Sequence, residues 1–346
     1  MFYINNDMSD SDYDDPDPRF ISIKARSLPT LPKRASVTIC PDRPQCVLSL
    51  ISCNHDANLA ALTSEFSVRL YDPNNLHEIG ILSNHTDVVR ALRSVPDTSL
   101  LFTASEDGSW KLVDLRTGSV QISVHTQYPL LSFDCNGILA AAGIDIHGDT
   151  AIWDIRNSSS QLGTLNEFHT DEVRDVRFHS VYRSVLFTGS IDCLINKFDL
   201  NASSLDDALI SVFNTNQSVR SFNFFGGSSE YLYSISEIET MTLCNLSTDE
   251  LICSVDDICS TISTDLSVRY LIDCYYDIQH QCLSVFAGNY YGDIIGCLVS
   301  PNKLEPAMSL FAGHSSGVRA MTYINKVLFT AGEDSNIISW TFDNIL

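Results

Sequence analysis

The residues best suited to chemistry are three histidine–carboxylate pairs: His85 with Asp107, His169 with Asp192 and His314 with Asp334, spaced 22, 23 and 20 residues apart. A carboxylate that orients an imidazole is the arrangement of a catalytic dyad. Here the same pair returns along the chain, on separate units where no shared reaction centre can use all three, so a structural role is expected. Little else supports catalysis: there is no glycine-rich phosphate loop, H-E-x-x-H or isolated cysteine with a credible base. No enzymatic activity and no cofactor are expected. Eleven cysteines, an odd number without a C-x-x-C pair, read as reduced, small core residues. Cys53 stands close to His55, but zinc normally takes four such ligands, so no metal site is expected.

The elements that position these pairs repeat with them. Leu101-Phe102-Thr103, Leu186-Phe187-Thr188 and Leu328-Phe329-Thr330 each precede one of the aspartates by the same step, and a V-R pair (Val89-Arg90, Val173-Arg174, Val318-Arg319) follows each histidine. The Leu positions are 85 and 142 residues apart, or two steps of about 43 and three of about 47, the period of a four-stranded propeller blade. Fainter copies fill the gaps: Ser218-Val219-Arg220 with Leu232-Tyr233-Ser234, Leu139 with Trp153-Asp154, Thr63 with Tyr71-Asp72, and Ser267-Val268-Arg269 with Ala287-Gly288. The third copy carries two extra residues in the hairpin around Ile146 to Gly148. Seven units of 43 residues fill Cys46 to Leu346. Apolar–polar alternation and Asp-Gly or Asn-containing turns make each unit a set of short antiparallel strands. The expected fold is all-β, one closed ring rather than the two domains that length alone allows.

His85…Asp107…Val113-Asp114, His169…Asp192…Phe198-Asp199, His314…Asp334…Trp340 and the full Trp153-Asp154 resemble the WD repeat of seven-bladed β-propellers over about 300 of the 346 residues. The stretch from Glu167 to His179, with Asp206-Asp207-Ala208-Leu209 and the long third hairpin, narrows the likeness to a eukaryotic interaction protein. In that family the His, a hydroxyl, the turn Asp and the Trp form a hydrogen-bonded chain within a blade. The resemblance implies that His85, Ser105 and Asp107, then His169, Ser190 and Asp192, do so here. His314 and Asp334 would meet Trp340, with Gly332 in place of the hydroxyl. Because the seventh unit stops after its third strand, its fourth is expected from Phe20 to Ile39, so that residues 20–45 close the ring and 46–346 form the units.

The resemblance also implies that the residue after the first-strand Val lies on the upper face beside the central opening. That residue is Arg90, Arg174, Arg220 and Arg319, with Arg269 a fifth candidate. Guanidinium groups suit carboxylate or phosphate, so the set points to capture of an acidic or phosphorylated peptide. Against this, Glu106, Glu237 and Glu333 fall where they would pair with Arg90, Arg220 and Arg319, leaving Arg174, opposite Ile191, the most available. Val113-Asp114-Leu115-Arg116 and Trp153-Asp154-Ile155-Arg156 also resemble the W-D-x-R signature of propeller substrate receptors of cullin-type ubiquitin ligases. An Arg at that place can equally end a strand.

Charge limits the partners. The chain carries 43 acidic and 21 basic side chains, a formal −22. Asp7, Asp10, Asp12, Asp14, Asp15 and Asp17 belong to an expected disordered tail, residues 1–19, and without it the body still carries −17. Such acidity repels phosphate, so nucleic acid is not an expected partner, although a basic client protein could be shielded by it. No apolar run approaches a bilayer span, and the N-terminus lacks the plan of a signal peptide. The expectation is a cytoplasmic or nuclear protein, monomeric within a larger assembly, whose partners are proteins or peptides.

Overall fold

Strands lying in the middle of a sheet that packs on both faces must be apolar along their whole length, whereas an outer strand needs only every second residue inside. The sequence follows this rule. Leu101–Ser105 are all buried, as are Ala140–Ile144 and Leu186–Ser190, while the outer strand Ser119–His125 has no buried residue.

The computed structural model describes residues 24–342, apart from 97, 257–260, 263, 265 and 301–302. The acidic tail expected over residues 1–19 therefore lies outside the described residues. Those described form seven four-stranded antiparallel sheets, the blades of a propeller. Blade 1 runs from Val47 to Leu82, blade 2 from Val89 to His125, blade 3 from Leu130 to Leu165 and blade 4 from Val173 to Asn214. Blades 5 and 6 run from Val219 to Val255 and from Tyr270 to Leu310. Blade 7 takes its first three strands from Val318 to Thr341 and its fourth from Lys33–Thr38, which pairs antiparallel with Asn336–Thr341. Leu31, just before that closing strand, is 1% exposed among Val318, Ile338 and Trp340.

The first strands lie innermost: that of blade 2 adjoins those of blades 1 and 3, and that of blade 7 those of blades 1 and 6. They start at the face, here the upper one, that also carries the turns between second and third strands. In blade 3 that turn spans 145–149, two residues longer than 106–108 of blade 2, which places the insertion around Ile146 to Gly148. Large side chains fill the seams between blades. Trp110 of blade 2 packs on Phe133 and Trp153 of blade 3 at 5.7 and 6.1 Å between ring centroids.

Every first strand carries a register shift one or two residues after its start, so that one residue has no partner on the second strand. Such a β-bulge turns the extra side chain out of the pleat. The bulged residues are Leu48, Arg90, Leu131, Arg174, Arg220, Ile272 and Arg319 in blade order.

Candidate partner-binding site

Below the upper face the recurrent histidines tie each blade to itself. His85 Nδ1 donates to Asp107 at 2.9 Å, His169 to Asp192 at 2.9 Å and His314 to Asp334 at 3.0 Å. A carboxylate only accepts, so Nδ1 carries the proton and Nε2 accepts from a hydroxyl. That hydroxyl belongs to Thr103, Thr188 and Thr330, at 2.7, 2.7 and 2.8 Å. Here the expectation is corrected: Ser105 and Ser190 do not touch the histidines. Each donates instead to a backbone carbonyl, of Asp87 and Asp171, and accepts the N–H of its turn aspartate.

The chain of bonds is therefore complete in blade 7, where Trp340 Nε1 donates to Thr330 at 2.8 Å. Gly332 is no gap in it. A Cβ there would sit 2.2 Å from the Gly317 carbonyl oxygen, so the backbone itself fills the place of the serine. The threonine was marked in the sequence all along as the third residue of each Leu-Phe-Thr. These groups are buried, repeated and fully bonded, which accounts for them as internal ties.

The turn carboxylates set an acid limit. Burial disfavours the Asp107 charge, but bonds from Ser109, the Thr86 N–H and His85 outweigh it and hold the carboxyl at about 2. Burial likewise opposes the Asp334 charge, and His314, Asn336 and the Ser315 N–H hold it at about 2. A carboxyl depressed in the folded state stabilises the fold above its unfolded pKa and loses that contribution as pH falls through the folded value. Each contributes about 2 kcal/mol at neutral pH, lost between about pH 4 and 2. Thermal melts should show the loss over this window, on the order of 8 °C from the two groups. The variant Asp107→Asn/Asp334→Asn should melt lower at pH 7 and fall less steeply below pH 4.

At the upper rim the bulges bring four arginines to the opening, each beside a glutamate. Arg90 Nε donates to Glu106 at 2.6 Å, and Arg319 Nε to Glu333 at 2.7 Å with its guanidinium 5.3 Å from the Tyr270 ring centroid. Arg220 pairs with Glu239 at 2.9 Å rather than with Glu237. The reason is the next blade: Glu239 also accepts the Leu271 N–H while Arg220 donates to the Leu271 carbonyl, so the pair clamps the first strand of blade 6. Arg174 pairs with Glu172 at 2.8 Å instead of standing free opposite Ile191, although its Nε has no acceptor. Arg269 is exposed but lies before the first strand of blade 6, whose bulge falls at Ile272. The V-R pair of that blade is therefore displaced, and Leu271-Ile272 takes its place.

Sequence reasoning missed a second set of charges deeper in the opening. Arg93 reaches Asp134 and Asp175 at 3.3 Å each, and Arg177 reaches Asp175 at 3.2 Å. Asp134 and Asp175 accept the N–H of Phe178 and Phe222 on the next blade, at 2.7 and 3.1 Å. Tyr233 donates to Asp273 at 2.8 Å across blades 5 and 6. Burial pushes Asp134 and Asp273 up, whereas Arg177 stays charged against burial through Asp175 and Asp134. Charged residues one and three places past the bulge, as in Val173-Arg174-Asp175-Val176-Arg177, were the available signal.

Arg116 and Arg156 fold back on Asp114 and Asp154, each through Nε, Nη2 and backbone N–H. Both guanidiniums stay open, at 73 and 72% exposure, while Trp153 is buried in the seam with blade 2. No group of three or more His, Cys, Asp or Glu suited to a metal occurs among the described residues. No described helix is long and apolar enough to cross a membrane.

Residues 76–114 match the family described as WD domain, G-beta repeat. The chain is 30% identical over 288 residues to the WD repeat-containing protein 89 homolog of Dictyostelium discoideum, covering 82% of this chain and 79% of that one. It is 26% identical over 312 residues to WD repeat-containing protein GTS1 of Arabidopsis thaliana, covering 82 and 78%. An uncharacterised WD repeat-containing protein of Saccharomyces cerevisiae is 32% identical over 256 residues, covering 70 and 64%. Proteins of this kind generally act as interaction scaffolds and are typically not enzymes. The closed ring of seven blades, the histidine ties and this similarity together establish that the chain belongs to the WD-repeat family of β-propellers.

Proposed function

We propose that this protein is a non-enzymatic scaffold that captures an acidic or phosphorylated peptide over the upper opening of the propeller. The observation behind it is the bulge ring. Arg90, Arg174, Arg220 and Arg319 share it with aliphatic Leu48, Leu131 and Ile272, and the four arginines keep 40, 32, 29 and 43% side-chain exposure. Their glutamate partners do not close the site. Partly exposed ion pairs are worth only about 0–1 kcal/mol, so a ligand carboxylate or phosphate can take the place of Glu106 or Glu172 at little cost. Aliphatic neighbours favour a peptide that carries apolar residues between its acids.

The test is an array of glutamate- and phosphoserine-containing peptides probed with the wild-type chain and with Arg90→Glu/Arg174→Glu. The double variant should lose at least tenfold in retention and melt within about 2 °C of wild type, because both ion pairs are partly exposed and worth little to the fold. Equal retention by both proteins would remove the basis of the proposal.

A further inference from the structure

The lower face carries a second concave surface, remote from the arginine rim. It is divided by the turn Gly226–Glu230 between the first and second strands of blade 5. On one side, toward blade 4, lies a cleft of about 350 Å³ lined by Tyr182, Val185, Phe187 and Leu246. On the other, toward blade 6, lies a cleft of about 690 Å³ lined by Phe225, Tyr231, Leu243, Ile252 and Tyr276. Tyr182 and Ile252 are 65 and 42% exposed.

The first cleft is rigid. His179 accepts the N–H of Val181 and Tyr182 at Nδ1, at 3.2 and 3.1 Å, and donates from Nε2 to the Ser229 carbonyl at 3.0 Å. This arrangement needs the neutral ring, and burial lowers its pKa in keeping. The imidazole thus joins the loop of blade 4 to the turn of blade 5, with Phe187 and Phe224 packed edge to face behind it.

Glu230 lines both clefts. Its carboxylate accepts the Ser228 N–H at 2.7 Å, and backbone N–H groups, its own first, hold it below the usual carboxylate range. Among the described residues no cation pairs with it. The nearby amine of Lys197 is already held by the Leu246 carbonyl and Asp249, at 3.2 and 2.8 Å. Two clefts with aromatic and aliphatic walls, the first also lined by Lys197, therefore flank a carboxylate that meets backbone N–H groups but no side-chain cation.

We infer that the lower face binds a partner segment in which a lysine or arginine is flanked on both sides by bulky apolar residues, the basic group meeting Glu230 and the apolar groups filling the two clefts. The charge pattern selects this occupant: an acidic segment would meet Glu230 and a body of strongly negative charge, and a wholly apolar one would bury the carboxylate unpaired. The aromatic walls suit both parts, since tyrosine faces attract cations as well as aliphatic side chains.

The probe is a peptide array with Leu, Ile, Phe or Met two positions to either side of a central Lys, Arg, Ser or Glu. The full chain should retain the best basic-centred peptides at least fivefold over their serine-centred counterparts. Glu230→Gln, which still accepts from Ser228, should reduce that ratio below twofold. Tyr182→Ser/Ile252→Ser should weaken all retention about tenfold, and Arg90→Glu/Arg174→Glu should change nothing, which separates this site from the upper opening. Melts within 2 °C of wild type exclude unfolding as the cause. The proposal is overturned if no peptide is retained, if serine- and lysine-centred peptides are held equally, or if Glu230→Gln keeps the wild-type ratio.

Discussion

A chain beginning at residue 40 should fail to give a cooperative melt near the temperature of a chain beginning at residue 24. The difference of sixteen residues contains the closing strand Lys33–Thr38 and the buried Leu31 and Ile39. Without them Asn336–Thr341 becomes an open edge, and Ile338 and Trp340 lose the side chains that cover them. Loss of Leu31 and Ile39 alone costs about 4–10 kcal/mol if each behaves as an ordinary large-to-small core change. That approaches the whole stability of a domain of about 5–15 kcal/mol, before the ladder is counted. Circular dichroism melts with size-exclusion profiles make the measurement. A synthetic peptide spanning residues 24–40, added to the shortened chain, should restore the transition and remove aggregates. A chain from residue 40 that melts normally without it would show that three strands suffice for blade 7.

Trp340→Ala should be the most damaging single substitution, at about 3–5 kcal/mol. The indole is 1% exposed and joins packing to hydrogen bonding, its Nε1 donating to the threonine that holds His314. For a domain of this size that predicts a fall in melting temperature on the order of 10 °C. Trp340→Phe divides the effect: it fills most of the volume but loses the donor, so about 1–2 kcal/mol should remain. Thr330→Val should then cost less in the Trp340→Phe background than in wild type, because part of what it breaks is already gone. Strict additivity of the two changes would mean that the bond contributes nothing.

Both results rest on parts of the fold that differ in how plainly they are written in the chain. Leu-Phe-Thr, the turn aspartates and the histidines recur because each blade must solve the same packing and hydrogen-bonding problem, so the ring and its period can be read directly. The β-bulges cannot. A strand pattern of period two does not show which residue is extra, and the bulge is what sends Arg90, Arg174, Arg220 and Arg319 to the rim. Blade 6 was misread for a related reason. Ser267-Val268-Arg269 copies the motif in letters, but the strand begins at Tyr270, whose hydroxyl accepts the Val318 N–H of blade 7 at 2.7 Å. The glutamate partners were half legible: Glu106 and Glu333 stand before turn aspartates, while Glu239 and Glu172 depend on the path of neighbouring loops. Arg93, Asp134 and Asp175 become partners only when three blades meet, and His179 and Glu230 belong to loops without a repeat.

The closing strand also sets a clock. Ala35 bonds to Ser339 across 304 positions of chain. At about 5–20 residues per second of synthesis the strand waits roughly 15 to 60 s for its neighbour to be made. During that interval Leu31 and the closing strand have nothing to pack against, because Val318, Ile338 and Trp340 are made last among the parts they join. The growing chain must therefore be sheltered on the ribosome or kept soluble by its own charge until blade 7 is made, and newly made protein is at its most vulnerable before that blade forms.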